Sequence, residues 1–196
     1  MDVKSPQNLT ELTNVFRFVE KELNIKPDHV RNLGYYKKQF KVTPQFLIYI
    51  EKNREILGAL LAIPQKNDNL LVGELAVSKK TQGKGIGSML LNEIEKRAKK
   101  YDKNNILLGS LETAEKFYIK HNYKPMLFIQ LKGPNKLNEL KSFAIENSQE
   151  NRITWESTDS EFSKIVIDTP NVDKILQYKA NRLSGVHTQY LFSKKL

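Results

Sequence analysis

The residues with the clearest chemical use are Gly83, Gly85 and Gly87, set among Lys79, Lys80 and Lys84 in the stretch LLVGELAVSKKTQGKGIGSMLL, Leu70 to Leu91. Its apolar, β-branched front end reads as a buried strand, the glycines as a turn that lets backbone approach a ligand, and the residues after them as a helix start. Amides at a helix start have no intrahelical acceptor, and the helix dipole and the lysines add positive potential there. The turn suits an anion, above all a phosphate.

Spacing separates the readings of this turn. A P-loop needs GxxxxGK followed by Ser or Thr, and here Gly85 is followed by Ile86. A dinucleotide fingerprint is closer, since Gly83, Gly85 and Ser88 approach GxGxxG. That motif expects an acidic residue at the end of the next strand, about 20 residues on, where this chain has the helix end Lys100-Tyr101-Asp102-Lys103. The third reading takes Gln82, Gly85 and Gly87 as QxxGxG directly after Leu75-Ala76-Val77. It resembles the pyrophosphate loop of the GNAT superfamily of N-acetyltransferases, which bind acetyl-coenzyme A. A tight turn without a ligand is the remaining alternative, and three glycines with flanking lysines speak against it.

The resemblance implies roles for individual residues. Backbone at Leu75, Ala76 and Val77 would pair with pantetheine as a further strand does and donate an N–H toward the thioester oxygen. The amides of Gln82, Gly83, Lys84, Gly85, Ile86, Gly87 and Ser88 would hold the pyrophosphate, with the Ser88 hydroxyl as an extra donor. A second GNAT signature is similar to Ala114, Phe117-Tyr118 and the turn into Tyr123, with Asn122 where the family usually has glycine; both tolerate a left-handed helix end. Leu111 stands where many members have an asparagine on the pantetheine arm, so Ser110 is the expected replacement. Tyr118 aligns with the frequent catalytic tyrosine, a general acid, since a phenol of pKa ~10 is protonated at neutral pH. Without the loop it would read as a packing aromatic. Glu74 lies where related enzymes often place an acidic residue that takes the amine's proton, directly or through water; as a plain strand residue it would be exposed or paired with a lysine.

The elements that must position these groups follow from periodicity. Leu9 to Leu23 carries a helical apolar stripe with Asn8 and Glu11 as an N-terminal cap. A second helix is expected from Pro27 to Phe40, with Pro27 in its first turn. In the GNAT fold two such helices line the acceptor side, usually after a first strand, which only Met1 to Lys4 supplies here. Phe46 to Glu51 and Ile56 to Ile63 read as a hairpin, with Gly58 permitting a bulge. After the central strand, Gly87 to Lys100 is an amphipathic helix, Asn105 to Leu108 a strand and Glu112 to Lys120 a helix. From Pro125 on the order is βαββαβ, a ferredoxin-like pattern. It reads either as a small appended domain or as an insertion before a last strand that completes the catalytic sheet. The expectation is an α/β protein with a mixed sheet: a GNAT domain over residues 1–132 and an α+β extension, ferredoxin-like, over 133–196.

Composition sets the remaining limits. The chain has 196 residues, 39% hydrophobic and 28% charged, with no cysteine. That is a globular composition, and it removes disulfides, thiolate metal sites and a cysteine nucleophile. Acyl transfer would then be direct. His29, His121 and His187 show no metal-ligand spacing, so no metal is expected. No apolar run approaches the ~18 residues of a membrane span, Met1-Asp2-Val3-Lys4 opens no signal region, and a cytoplasmic enzyme is expected. The net charge of +10 is read mainly as a match to an anionic cofactor. A nucleic-acid partner is possible but not favoured, because many lysines sit among glutamates at helical spacing. The expected function is acetyl transfer from acetyl-CoA to a primary amine on a small molecule or protein. The alternatives are a non-catalytic acyl-CoA-binding regulatory module and a nucleic-acid-associated acetyltransferase.

Overall fold

The computed structural model describes residues 1–26 and 28–196, which form two compact units: 1–107 with 195–196, and 108–194. Both are mixed α/β. Among the described residues no helix is long and apolar enough to cross a membrane.

In the first unit the strand order is β1-β2-β3-β4-β5. The first strand is short, as expected: β1, Val3–Lys4, pairs antiparallel with β2, Leu47–Lys52. Helix α1, Leu9–Leu23, starts where the cap places it. Asn8 Oδ1 accepts from the N–H of Glu11 at 2.9 Å, and Glu11 Oε1 accepts from Asn8 Nδ2 at 3.1 Å. Its apolar stripe, Leu12, Val15, Phe16 and Val19, packs with Tyr36 of α2 on Leu47, Tyr49, Ala59, Leu61 and Ala76 of the sheet. Truncating a ring such as Phe16 in so closed a core costs about 3–5 kcal/mol.

Helix α2 is shorter than expected and begins later, at Leu33–Val42. Asn32 caps it, accepting from the N–H of Tyr35 at 3.1 Å. Pro27, expected in its first turn, lies outside the described residues.

The hairpin of β2 and β3, Glu55–Pro64, turns at Asn53 and Arg54, which both have positive φ. That is the conformation a two-residue hairpin turn requires. The bulge expected at Gly58 falls one residue earlier, where the register passes from Ile50↔Gly58 to Glu51↔Ile56 and leaves Leu57 unpaired. Gly58 is needed for another reason: a Cβ there would lie 2.6 Å from Cγ2 of Ile86, at the start of α3, Ile86–Lys100.

Strand β4, Asn69–Val77, alternates buried and half-buried residues. Strand β5, Asn105–Gly109, meets its head, where Asn105 Nδ2 donates to Asn69 Oδ1 at 3.1 Å.

In the second unit, a turn of 3-10 helix at Glu112–Ala114 leads into α4, Glu115–Lys120. There follow β6, Lys124–Lys132; α5, Leu137–Glu146; β7, Ile153–Thr158; β8, Phe162–Asp168; α6, Lys174–Ala180; and β9, Val186–Lys195. The strand order is β9-β6-β8-β7, and the pairs β6–β8, β6–β9 and β7–β8 are antiparallel. This is the ferredoxin-like arrangement. Within this unit the N–H of Ser110 donates to the carbonyl of Tyr190 at 3.0 Å.

Candidate active site

Gly83 and Gly85 have φ of 79° and 82°, which a side chain would strain. A Cβ at either would meet nothing within 4 Å, so their outer side is open. The turn is held from within. Ser78 carbonyl accepts from the N–H groups of Thr81 and Gln82, Thr81 carbonyl accepts from Lys84, and Gln82 Nε2 reaches the carbonyl of Val77 at 3.4 Å. Glu22 of α1 accepts from the N–H of Lys79 at 3.2 Å.

The amides of Gln82 and Lys84 are thus engaged within the turn. Those of Gly83, Gly85, Ile86 and Gly87 have no acceptor among the described residues, and α3 begins at Gly85 with no side-chain cap. Lys79, Lys80 and Lys84 are exposed and have no carboxylate partner among the described residues. Donors without an acceptor among the described residues, a helix N-terminus and exposed lysines converge on this turn, an arrangement that suits an anion.

Glu74 lies on β4 two residues before Ala76, on the face that α1 and α2 cover, and is only 7% exposed. Its Oε1 accepts from Nε of Arg31 at 2.8 Å and from the hydroxyl of Tyr36 at 3.3 Å. No described residue bonds its Oε2. The pair predicted with a lysine is therefore made by an arginine from the segment before α2. Burial alone would lower the Arg31 pKa, but the hydrogen bond and charge of Glu74 outweigh it and leave the guanidinium above its usual value. Tyr36 is pushed up, first by burial and then by the Glu74 charge.

Gly73 makes room for this cluster. The register shifts from Leu61↔Glu74 to Ala62↔Val72, so Gly73 is bulged out of the ladder. A Cβ on it would lie 2.6 Å from the Tyr36 hydroxyl and 3.1 Å from Nε of Arg31. Sequence reasoning singled out none of Arg31, Tyr36 and Gly73. The isolated glycine inside a strand run was the available signal.

In the second unit Tyr118 is 6% exposed, its ring against Phe117, Tyr123 and Phe192. Burial pushes its phenol up to about 12. Its hydroxyl makes no hydrogen bond to a described residue. The packing role and a free O–H therefore coexist in one side chain. Ser110 is also buried, its Oγ donating to the carbonyl of Leu111 at 2.7 Å.

Residues 44–125 match the sequence profile of the acetyltransferase (GNAT) domain, which spans the loop, β4 and α4. Over that stretch the chain is similar to GNAT acetyltransferases. The domain so matched is described as an acetyltransferase domain. No curated protein sequence matches the chain.

Solved structures share the GNAT fold at low identity. Ribosomal-protein-alanine N-acetyltransferase from Brucella melitensis is 11% identical with TM-score 0.56, the match covering 100% of both chains. Naa50 from Arabidopsis thaliana, in complex with the bisubstrate analogue CoA-Ac-MVNAL, is 17% identical with TM-score 0.56, over 100% of this chain and 98% of that one. Diaminobutyrate acetyltransferase EctA from Paenibacillus lautus, in complex with L-2,4-diaminobutyric acid and coenzyme A, is 13% identical with TM-score 0.52, over 88% and 96%.

Proposed function

We propose that this protein moves the acetyl group of acetyl-CoA directly to a primary amine. The observation that carries the reading is the set of amides at Gly83, Gly85, Ile86 and Gly87 that have no acceptor among the described residues, beside three exposed lysines. These groups bind the diphosphate, while Gln82 and Lys84 keep the turn in shape and Ser88 adds its hydroxyl. Backbone of Leu75, Ala76 and Val77 orients pantetheine. Ser110, having given its own proton to Leu111, still offers lone pairs to a pantetheine N–H.

In the reaction the amine nitrogen forms a bond to the thioester carbon and the carbon–sulfur bond breaks. Glu74 takes up the proton that the amine loses, at Oε2, since Oε1 is already engaged by two donors. Tyr118 meets the departing sulfur with its O–H. A phenol at about 12 is a weaker acid than a thiol at ~8.5, so it helps by donating a hydrogen bond to the developing thiolate. The thiol's final proton balances the one lost by the amine.

The amine acceptor has parallels in the peptide-based analogue bound to Naa50 and the diamino acid bound to EctA. Titration with acetyl-CoA tests the reading, comparing the wild type with Gly85→Glu, which puts a bulky anion in the turn. Binding by the wild type and its loss in the variant are expected. No wild-type binding, or equal binding by both, defeats the assignment.

A further inference from the structure

We propose that the open face of the second unit's sheet is a platform for single-stranded nucleic acid, a function beyond acetyl transfer. Both helices of the ferredoxin-like pattern lie on one face. Gln177 of α6 donates to Thr188 Oγ1 of β9 at 3.3 Å, and Lys141 of α5 pairs with Glu156 of β7 at 2.9 Å. Leu127, Ile129, Ile165, Ile167, Tyr190 and Phe192 fill that side and are essentially inaccessible.

Alternation sends the intervening residues to the other face. The register there builds one row across all four strands, Trp155, Val166, Phe128 and Gln189. A second row is Ser157, Lys164, Gln130 and His187. Phe128, Gln130, Phe162 and Gln189 are half-buried, while His187 is exposed and Trp155 is 48% exposed. This side of the sheet therefore reaches solvent.

Three features point to one occupant. Rings on neighbouring strands, Trp155, Phe128 and Phe162, offer flat apolar surface on which bases stack. Gln130 and His187 can hydrogen-bond base edges, the way a four-stranded sheet reads unpaired bases, while Gln189 Nε2 reaches the carbonyl of Ser110 at 3.4 Å. Charge agrees with an anion. Lys124 and Lys132 stand on this face at the two ends of β6 without carboxylate partners among the described residues, and Asp168 is the one acid that the strand registers place on it among those residues. Lys164 lies over the Phe162 ring at 5.7 Å and pairs with Asp159, at the rim. An acidic peptide would meet the lysines but leave the rings and amides unused.

The protein's one tryptophan is Trp155, so its fluorescence reports this face alone. The full chain is titrated at low salt with oligouridylate and oligoadenylate RNA of about twelve nucleotides, their DNA counterparts, a duplex and an acidic peptide. Saturable quenching by single strands is expected. Affinity should fall roughly tenfold over a fourfold rise in salt, the slope of two or three phosphate contacts. Lys124→Gln/Lys132→Gln, a surface change, should weaken binding about tenfold, and Phe128→Leu, checked for native circular dichroism, should weaken it further. The proposal is overturned by absence of quenching, by undiminished binding in the lysine variant, or by preference for duplex or peptide. Sedimentation as a dimer that sequesters Trp155 also overturns it.

Discussion

Nε of Arg31 donates to Oε1 of Glu74 across 2.8 Å, joining residues 43 positions apart and leaving the second carboxylate oxygen without a partner among the described residues. Glu74 is nearly closed to solvent and Arg31 only partly, so the pair fixes the direction in which Oε2 points. Removing one partner strands a buried charge. Arg31→Met should therefore lower stability by about 2–3 kcal/mol, the low side for a buried pair because the guanidinium still reaches water. In a double-mutant cycle by urea unfolding, Glu74→Gln in the Arg31→Met background should cost less than it does in the wild type. Additive effects would show that the contact is incidental.

Gly73→Ala adds a methyl group 2.6 Å from the Tyr36 hydroxyl. Tyr36 is rigidly packed against Phe16 and Tyr35, so it cannot simply withdraw. A loss of about 1–3 kcal/mol is expected from overpacking, visible in thermal unfolding, with a fall in kcat as Glu74 is displaced. Native kcat would separate Glu74 from catalysis.

Gly58→Val tests the link between packing and the phosphate turn. Its side chain would meet Cγ2 of Ile86 and Cδ1 of Leu90, and Ile86 is the first residue of α3. Pushing that helix start out of place should weaken coenzyme A binding about tenfold by calorimetry, although residue 58 is remote in sequence from the loop. Unaltered affinity would mean that the turn holds its shape independently of β3.

Tyr118→Phe has two expected outcomes. Turnover should fall about tenfold or more while acetyl-CoA affinity is kept, because the lost hydrogen bond is made in the transition state. Stability should also lose part of its dependence on alkaline pH. The native phenol titrates near about 12 and the unfolded one near ~10, so the stabilising contribution is complete below ~10 and is lost as pH rises through 12. Unfolding free energies from urea titrations should shift in the variant's favour over that interval, by at most about 2–3 kcal/mol. A constant gap between pH 9 and 12 would contradict the burial of this hydroxyl.

Much of the fold was legible in local patterns. Helix α1 starts and stops where its apolar period and the Asn8 cap say, and the elements after Pro125 follow the expected order βαββαβ. Both are set by neighbours in sequence, through side-chain period and capping. Helix α2 was misplaced because its start depends on the Asn32 cap and on a preceding segment that brings Arg31 to β4. Gly58 stands beside the bulge it permits, but its second role is hidden in the sequence because the atom that excludes a side chain there belongs to Ile86.

By itself the sequence determined the GNAT fold and the glycine-rich turn, since glycine spacing, lysines and a helix start lie within a few residues of one another. Only the tertiary structure decided which amides in that turn are spent internally and which stay open. It alone paired Glu74 with Arg31 and set the rings of Trp155 and Phe128 on one face. Those relationships join distant stretches of chain through strand register and helix packing, and a short sequence window contains neither partner's position.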